Sequence, residues 1–361
     1  MTAVEHLDVT AYTVPTDRPE ADGTLSWDST TIVVVELDAG GERGLGWTYG
    51  PAAAAALIRD ELAEVVQGRD PMDVPAAWAA MTGALRNAVT TGLSAYAVSA
   101  VDIALWDLKA RLLGVSLATL LGRRRDGIEA YGSGGFTSYT DAELRDQLGG
   151  WAAAGFSRVK LKVGSDPAAD PRRVRVAREA IGPDVELMVD GNGAWRPDGA
   201  IAMAAAFAEH DVRWFEEPVS SDDLDGLRRV RDRAPAGMAV AAGEYVTDAR
   251  GFRRLLDAGA VDVLQGDGTR CGGITGLLRA DALCQAHGLA FSAHCSPALH
   301  TPVCTAMQTA IHLEYFHDHV RIERMLFEGA PRPRDGVLYP DTAAPGHGLE
   351  LRSHAARHAQ G

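Results

Sequence analysis

Apolar residues follow two different rhythms along this chain. Near the N-terminus, residues 6–14 and TTIVVVELD (30–38) alternate or run apolar over strand length, and GERGLGWTY (41–49) follows after a Gly-containing turn. These predict three β-strands. Between the first two lies PTDRPEADGTLSWDS (15–29), too polar and too rich in turn formers for a core segment. It is expected to be a mobile loop with Trp27 as its apolar tip. Apolar residues at helical spacing then predict helices at about 51–67, 75–87 and 94–114, the last reading SAYAVSAVDIALWDLKARLLG. Together these elements make an α+β domain over residues 1–125, roughly 120 residues and an ordinary domain size.

From Ile128 the rhythm changes to repeated strand–helix units. Apolar runs end at Gly132, Lys162, Asp190, Glu216, Glu244, Asp267, His294 and Glu314. The last seven ends are roughly 20–30 residues apart, close to the ~30 per unit of an eight-unit barrel. Helix signals fill the intervals: Thr140 as N-cap of TDAEL, the segment DPAADPRRVRVAREAIG, and GITGLLRADALCQAHG closed by Gly288. The pattern predicts an α/β barrel over 126–330. A tail over 331–361, rich in Pro, Gly and Asp, is expected to return to the first domain with one short strand at GVLYP.

Composition narrows the functional classes. The net charge of −14 disfavours nucleic acid or an anionic membrane surface as a partner. It leaves room for a small anionic substrate held by a local cationic cluster. No apolar run is long enough to span a bilayer, and MTAVEHLDVT lacks a basic region followed by an apolar one. The four cysteines (Cys271, Cys284, Cys295, Cys304) have no CxxC spacing, so reduced, buried thiols in a cytoplasmic protein are expected.

In a parallel β/α array every strand's C-terminal end opens on one face, so the charged strand ends should converge. Asp190 in MVDGN, Glu216 in FEEPV and Glu244 in AAGEYV end three successive strands. Singly, such acids are solvated or cap the next helix. Three in consecutive units form a hard-oxygen set suited to Mg²⁺. Glu217 should point away from Glu216 and support the set from behind. Lys160 and Lys162 are two apart and share one side of their strand. Most lysines are solvated, but like charge and desolvation at a barrel mouth would lower the pKa of Lys162 and make it a base. Asp267 in LQGDGTRCGG would fix the tautomer of His294 in FSAHCSP, freeing the other ring nitrogen to move a proton. Glu314 in IHLEYF could donate a hydrogen bond, as a carboxylic acid, to a developing oxyanion.

The KLK, VDGN, FEEP, GE, Asp…GG and SAH…LE elements, in this order, resemble the enolase superfamily, specifically its mandelate racemase subgroup. The resemblance covers essentially the whole chain and implies a (β/α)7β barrel under an N-terminal α+β capping domain completed by the C-terminal tail. It implies Asp190, Glu216 and Glu244 as Mg²⁺ ligands, Lys162 as one base with Lys160 tuning it, and His294 paired with Asp267 as the opposing base. Glu314 would be the electrophilic acid. Lys160, Asn192, Trp27 and Tyr49 are expected to contact substrate. The muconate-lactonizing subgroup carries a lysine where this chain has Asp267, which argues against that branch. Asn192 stands where some sugar-acid dehydratases place a histidine, which disfavours their specificities. The implied reaction begins with removal of the proton alpha to a carboxylate. It continues as dehydration of an acid sugar or, alternatively, as racemisation or epimerisation of a 2-hydroxy acid. A non-catalytic metal-binding barrel is the remaining alternative. A homo-oligomer, dimer or octamer, is expected.

Overall fold

The computed structural model describes residues 2–88, 91–353 and 355. Its N-terminal sheet is an antiparallel meander of β1 (His6–Ala21), β2 (Ser26–Ala39) and β3 (Glu42–Tyr49). Val33 and Val35 of β2 are fully buried against helices that follow between residues 53 and 112, while Val34 packs in the other cluster, with Leu45 and Trp47. The long helix Leu93–Leu112 lies flat on β3, and two glycines permit the approach. A Cβ at Gly44 would sit 2.4 Å from the Ala104 carbonyl oxygen, and one at Gly46 would sit 2.2 Å from that of Ala100.

The expected loop at 15–29 is instead the end of a β-hairpin. β1 and β2 keep pairing from His6↔Asp38 to Pro15↔Ser29, break register, and resume at Glu20↔Trp27 and Ala21↔Ser26. The turn is closed by the Asp22 carboxylate, which accepts from the amides of Thr24 and Leu25 at 2.6 and 2.7 Å. Trp27 is not its tip; that place belongs to the exposed Leu25. The Trp27 ring packs edge-on against Phe136 and its Nε1 donates to Glu20 at 2.9 Å. The Asp22 carboxylate and the Trp27 indole find partners within the hairpin, and the ladder takes up the backbone, a tertiary outcome that composition alone does not reveal.

Eight parallel strands follow: β4 (Ile128–Gly134), β5 (Arg158–Lys162), β6 (Glu186–Asp190), β7 (Val212–Glu216), β8 (Ala239–Ala242), β9 (Val263–Gly266), β10 (Ala290–Ala293) and β11 (Ala310–Phe316). Each pairs with the next, and β11 pairs with β4 to close the barrel. The fold is thus the expected barrel with an α+β capping domain. A helix, His317–Leu326, also follows the eighth strand. Helix boundaries show the anticipated chemistry: Thr140 and Glu143 form a reciprocal capping box, and Gly288 ends its helix in the left-handed region at φ 66°.

The register fixes the site. Lys162 is opposite Asp190, and Asp190 is opposite Glu216, so three chemically distinct ends share one layer at the barrel mouth. One layer down, Lys160 is opposite Met188, and Met188 opposite Trp214. These belong to the packed interior, where Tyr131, Met188, Trp214, Ala241 and Val263 cluster.

The tail departs from expectation in its pairing. The short strand β13 (Val337–Leu338), after β12 (Phe327–Glu328), pairs antiparallel with β4 of the barrel rather than with the capping domain. The contact with the capping domain comes later, around Gly346–Leu349. His347 N donates to Asp107 at 2.8 Å, and the His347 ring bonds the Leu45 carbonyl. The strand β14 (Glu350–Leu351) then pairs with β12. The two domains also meet directly: Thr48 Oγ1 donates to the Thr269 carbonyl at 2.6 Å, and Asp102 accepts from the Thr275 amide and hydroxyl. No helix among the described residues is long and apolar enough to cross a membrane. All four cysteines are free and buried.

Candidate active site

Where the capping domain sits on the barrel mouth it leaves a cavity of about 380 Å³. Lys162, Asn192, Glu244 and His294 line it from the barrel, and Trp27 and Tyr49 from the capping domain. Behind this wall lie Asp190, Glu216, Asp267 and Glu314, all with no exposed surface. The fold thus gathers these residues around one space.

Asp190, Glu216 and Glu244 each place an oxygen within 4.8 Å of the others. Glu244 Oε2, buried, has no hydrogen-bond partner, although it lies 3.3 Å from His294 Nε2. Next to them Glu217 is buried with its Oε1 also unpartnered, and its backbone sits at φ 37°. That left-handed turn keeps Glu217 with the acidic cluster rather than turning it behind the strand. Its pKa is pushed well up by burial, then by Glu244, Asp190 and Glu216. Burial and Asp190 push Glu216 up in the same way, against the pull of Lys160. Buried carboxylates with orphaned oxygens that resist ionisation beside one another form a site short of positive charge. All-oxygen donors with room for further ligands fit a hard divalent cation of the Mg²⁺ type.

The lysines divide the labour differently than their spacing implied. Lys162 Nζ is 2.5 Å from Asp190 Oδ2 and lines the cavity. Burial and Lys160 both oppose its charge, but Asp190, Glu244 and Glu314 outweigh them and hold its pKa above the ordinary lysine value. The lowering expected from the sequence is thus reversed by the carboxylates that the fold collects around it. Lys160 is fully buried and does not line the cavity. Its Nζ sits 2.5 Å from Glu216 Oε1, 2.9 Å from Glu314 Oε1 and 3.7 Å from Asp190 Oδ2. It is placed to hold three carboxylates and not to touch substrate, contrary to the expected contact.

On the other side, His294 Nδ1 is 2.9 Å from Asp267 Oδ2. The other oxygen of Asp267 accepts from the Thr269 amide and hydroxyl at 2.7 and 2.8 Å. Against the cost of burial, the hydrogen bond and charge of His294 hold Asp267 well below the usual carboxylate range. Asp267 therefore stays an acceptor and fixes the Nδ1–H tautomer, leaving Nε2 toward the cavity.

Glu314 departs from its expected role as a proton donor. Its oxygens accept from Ser133 Oγ at 2.5 Å, Lys160 Nζ at 2.9 Å and the Cys295 amide at 3.0 Å. Despite burial, Lys160, His294 and Lys162 depress its pKa well below normal, so it is held as a carboxylate. In this arrangement it orders its neighbours.

Arg270 and His319 were not singled out by the sequence reading, and Cys295 only as a buried thiol. Arg270, three after Asp267, lies 3.5 Å from Glu244 Oε1 and 3.6 Å from Asp267 Oδ2, linking the acidic set to the dyad. Its place in DGTRCGG, among strand-end charges, was the available clue. Cys295 Sγ is 3.3 Å from His294 Nε2 and 3.4 Å from Glu314 Oε2. His319 stacks on Tyr49 with centroids 3.5 Å apart. Burial pushes its pKa down to about 3, so the ring is neutral near pH 7. Asn192, expected to contact substrate and found at φ 45°, donates its backbone N–H to Asp190, and its side-chain Oδ1 has no partner.

A capped β/α barrel with acids on consecutive strands, a lysine on one wall and an Asp–His pair on the other defines a class that the family comparisons identify. The model of the mandelate racemase/muconate lactonizing enzyme N-terminal domain matches residues 7–122, and the enolase C-terminal domain-like model matches 143–355. The chain belongs to the mandelate racemase/muconate lactonizing enzyme family of the enolase superfamily. It is similar to D-galactarolactone cycloisomerase of Agrobacterium fabrum, 36% identical over 283 residues, covering 77% of this chain and 74% of that protein. The 3,6-anhydro-alpha-L-galactonate cycloisomerase of Streptomyces coelicolor is 32% identical over 96% of this chain and 97% of its own length. Among solved structures, a mandelate racemase/muconate lactonizing enzyme-like protein from Rubrobacter xylanophilus superposes with TM-score 0.97 at 55% identity, covering 99% and 100% of the two chains. L-talarate/galactarate dehydratase from Salmonella typhimurium, liganded with Mg and L-lyxarohydroxamate, superposes with TM-score 0.91 at 28% identity, over 99% and 93%.

Proposed function

We propose that this protein is a Mg²⁺-dependent enzyme that removes the proton alpha to the carboxylate of an acid sugar and then dehydrates it to a 2-keto-3-deoxy acid. The observation that carries this is the pairing of Lys162 and the His294–Asp267 dyad on one cavity, with the three-carboxylate set between them. Around the barrel, β5 and β10 are three strands apart one way and five the other, so the two groups face substrate from nearly opposite sides. Relatives named as sugar-acid cycloisomerases and dehydratases, one of them liganded with Mg, support the substrate class and the metal.

Asp190, Glu216 and Glu244 would hold Mg²⁺, which when bound would supply positive charge to stabilise negative charge developing on the substrate carboxylate. Lys162 Nζ, as the neutral amine, takes the alpha proton; His294, as the imidazolium whose Nδ1–H is held by Asp267, gives its Nε2 proton to the departing beta-hydroxyl, which leaves as water. The resulting enol then becomes the keto acid. Asp267 keeps the imidazole oriented throughout. Trp27 and Tyr49, from the capping domain, exclude water from the charged intermediate. The same two groups permit a second reading: if His294 Nε2 returns its proton to the alpha carbon, the product is the epimer.

The test is a screen of aldonates and aldarates with Mg²⁺, read for 2-keto acids, with parallel incubation in D₂O read for loss of alpha-proton signals. Keto acid supports dehydration, and exchange with inversion but no keto acid selects the epimerase. Neither signal from any acid sugar or 2-hydroxy acid would sink both readings.

A further inference from the structure

Beside the cavity, a second group of potential metal ligands joins the hairpin to the barrel. Asp17 lies within the register break in β1, between Pro15 and Glu20, and Glu20 is the residue at which the ladder resumes. His317 follows the last barrel strand directly. One ligand atom from each of the three lies within 4.8 Å of the others, and His317 Nε2 is 3.0 Å from Asp17 Oδ2. That ion pair alone would account for Asp17 and His317. It does not account for Glu20, which has no exposed surface yet carries an oxygen, Oε1, with no hydrogen-bond partner; only Oε2 is engaged, by Trp27. A buried carboxylate is costly unless a positive group meets it. The nearby cation, Arg321, already spends its guanidinium on Asp318 and the Pro15 carbonyl.

We propose that Asp17, Glu20 and His317 form a second cation site, which takes a borderline divalent ion such as Zn²⁺ and clamps the hairpin over the cavity. Two carboxylates and one imidazole suit Zn²⁺, whereas the all-oxygen set at the barrel mouth suits Mg²⁺. The ion would replace the direct contact between Asp17 and His317 and engage the unpartnered oxygen of Glu20. The local field is already short of positive charge: burial, Asp318 and Asp17 push Glu20 up to about 8. A bulge that carries Asp17 and ends at Glu20 fits the tendency of bulges to re-aim side chains beside active sites. None of the three residues lines the cavity, so the site lies outside the proposed chemistry.

The experiment titrates Zn²⁺ into the full chain saturated with Mg²⁺, by calorimetry, with Trp27 fluorescence as a second readout. His294, Cys295 and Glu314 also cluster within ligand distance, so the titration is done in a Cys295→Ser background. The expected result is one Zn²⁺ per chain. His317→Ala and the isosteric Glu20→Gln should each weaken it on the order of 100-fold, at the upper limit of what losing a merely supporting partner costs. Mg²⁺ affinity should be unchanged in both, which also certifies their fold. Zn²⁺ affinity equal in parent and both variants would overturn the site. So would binding that vanishes with Cys295→Ser alone or with Glu244→Gln but survives His317→Ala.

Discussion

The two walls of the cavity reach the substrate space by different physical routes. Lys162 ends a regular strand, and ladder register alone sets it beside Asp190 and, one strand on, Glu216. His294 lies one residue beyond its strand, and the next two residues, Cys295 and Ser296, adopt φ 51° and 41°. Two consecutive non-glycine residues in the left-handed region are a costly turn that the surroundings must enforce. The Cys295 amide on Glu314 and the Ser296 hydroxyl, shared with Trp47 and Glu323, do so. The lysine wall is thus crowded with opposite charge and held by the sheet. The histidine wall is held by side-chain hydrogen bonds that reach across to the capping domain. Regular register is robust and cheap, whereas an imidazole aimed by a strained turn depends on contacts far apart in sequence.

Breaking each wall separately should separate their roles. The largest effect is expected from Lys162→Ala and His294→Asn, each lowering turnover by ~10²–10⁴-fold. In D₂O, Lys162→Ala should keep alpha-proton exchange for one enantiomer and His294→Asn for the other. If either variant lost exchange with both enantiomers while binding Mg²⁺ and substrate, two independent bases would be ruled out. Next, Asp190→Asn should lower Mg²⁺ affinity by roughly 100-fold, in the range typical of weakened metal sites. Asp267→Asn, on the histidine wall, should leave it unchanged by calorimetry. Equal losses in both would join the two walls into one electrostatic unit through Arg270. Asp267→Asn should instead cost about 10–100-fold in turnover, confined to the His294 half-reaction. An equal loss of exchange on the Lys162 face would refute that division.

The smallest effect concerns the hairpin that closes over both walls. Burial, with Asp318 and Asp17, raises the pKa of Glu20 to about 8 from an ordinary value of 4.5. A carboxyl with a raised folded-state pKa stabilises fully below the unfolded value, and that contribution is lost as pH rises through the folded one. Between pH 4.5 and about 8 the melting temperature in EDTA should therefore fall with a component that Glu20→Gln removes. A variant whose pH profile runs parallel to the parent's would show that Glu20 ionises freely in the folded state.

The linear sequence by itself determined the barrel, the strand ends at Lys162, Asp190 and Glu216, and the identity of the charged groups; Glu244, Asp267 and His294 fall just past their strands, and Gly132 and Glu314 lie inside theirs. Period-two alternation in RVKLK, and acids closing three consecutive apolar runs, are local signals, and parallel strands convert them directly into a shared face. Asp267 and His294 were legible for the same reason, as the ends of neighbouring units. What only the tertiary structure decided depends on distances between segments remote in the chain. The charge state of Lys162 turns on how closely Asp190, Glu244 and Glu314 crowd it. The roles of Lys160 and Glu314 follow from their mutual contact, made between strands 154 residues apart. The segment 15–29 is polar enough to be a loop, yet it extends a hairpin because Trp27 finds Phe136 and Glu20 finds burial beneath it. Backbone register propagates from neighbour to neighbour, so a sequence can encode it locally. Electrostatics and burial sum over everything nearby in space, and only the folded chain specifies what is nearby.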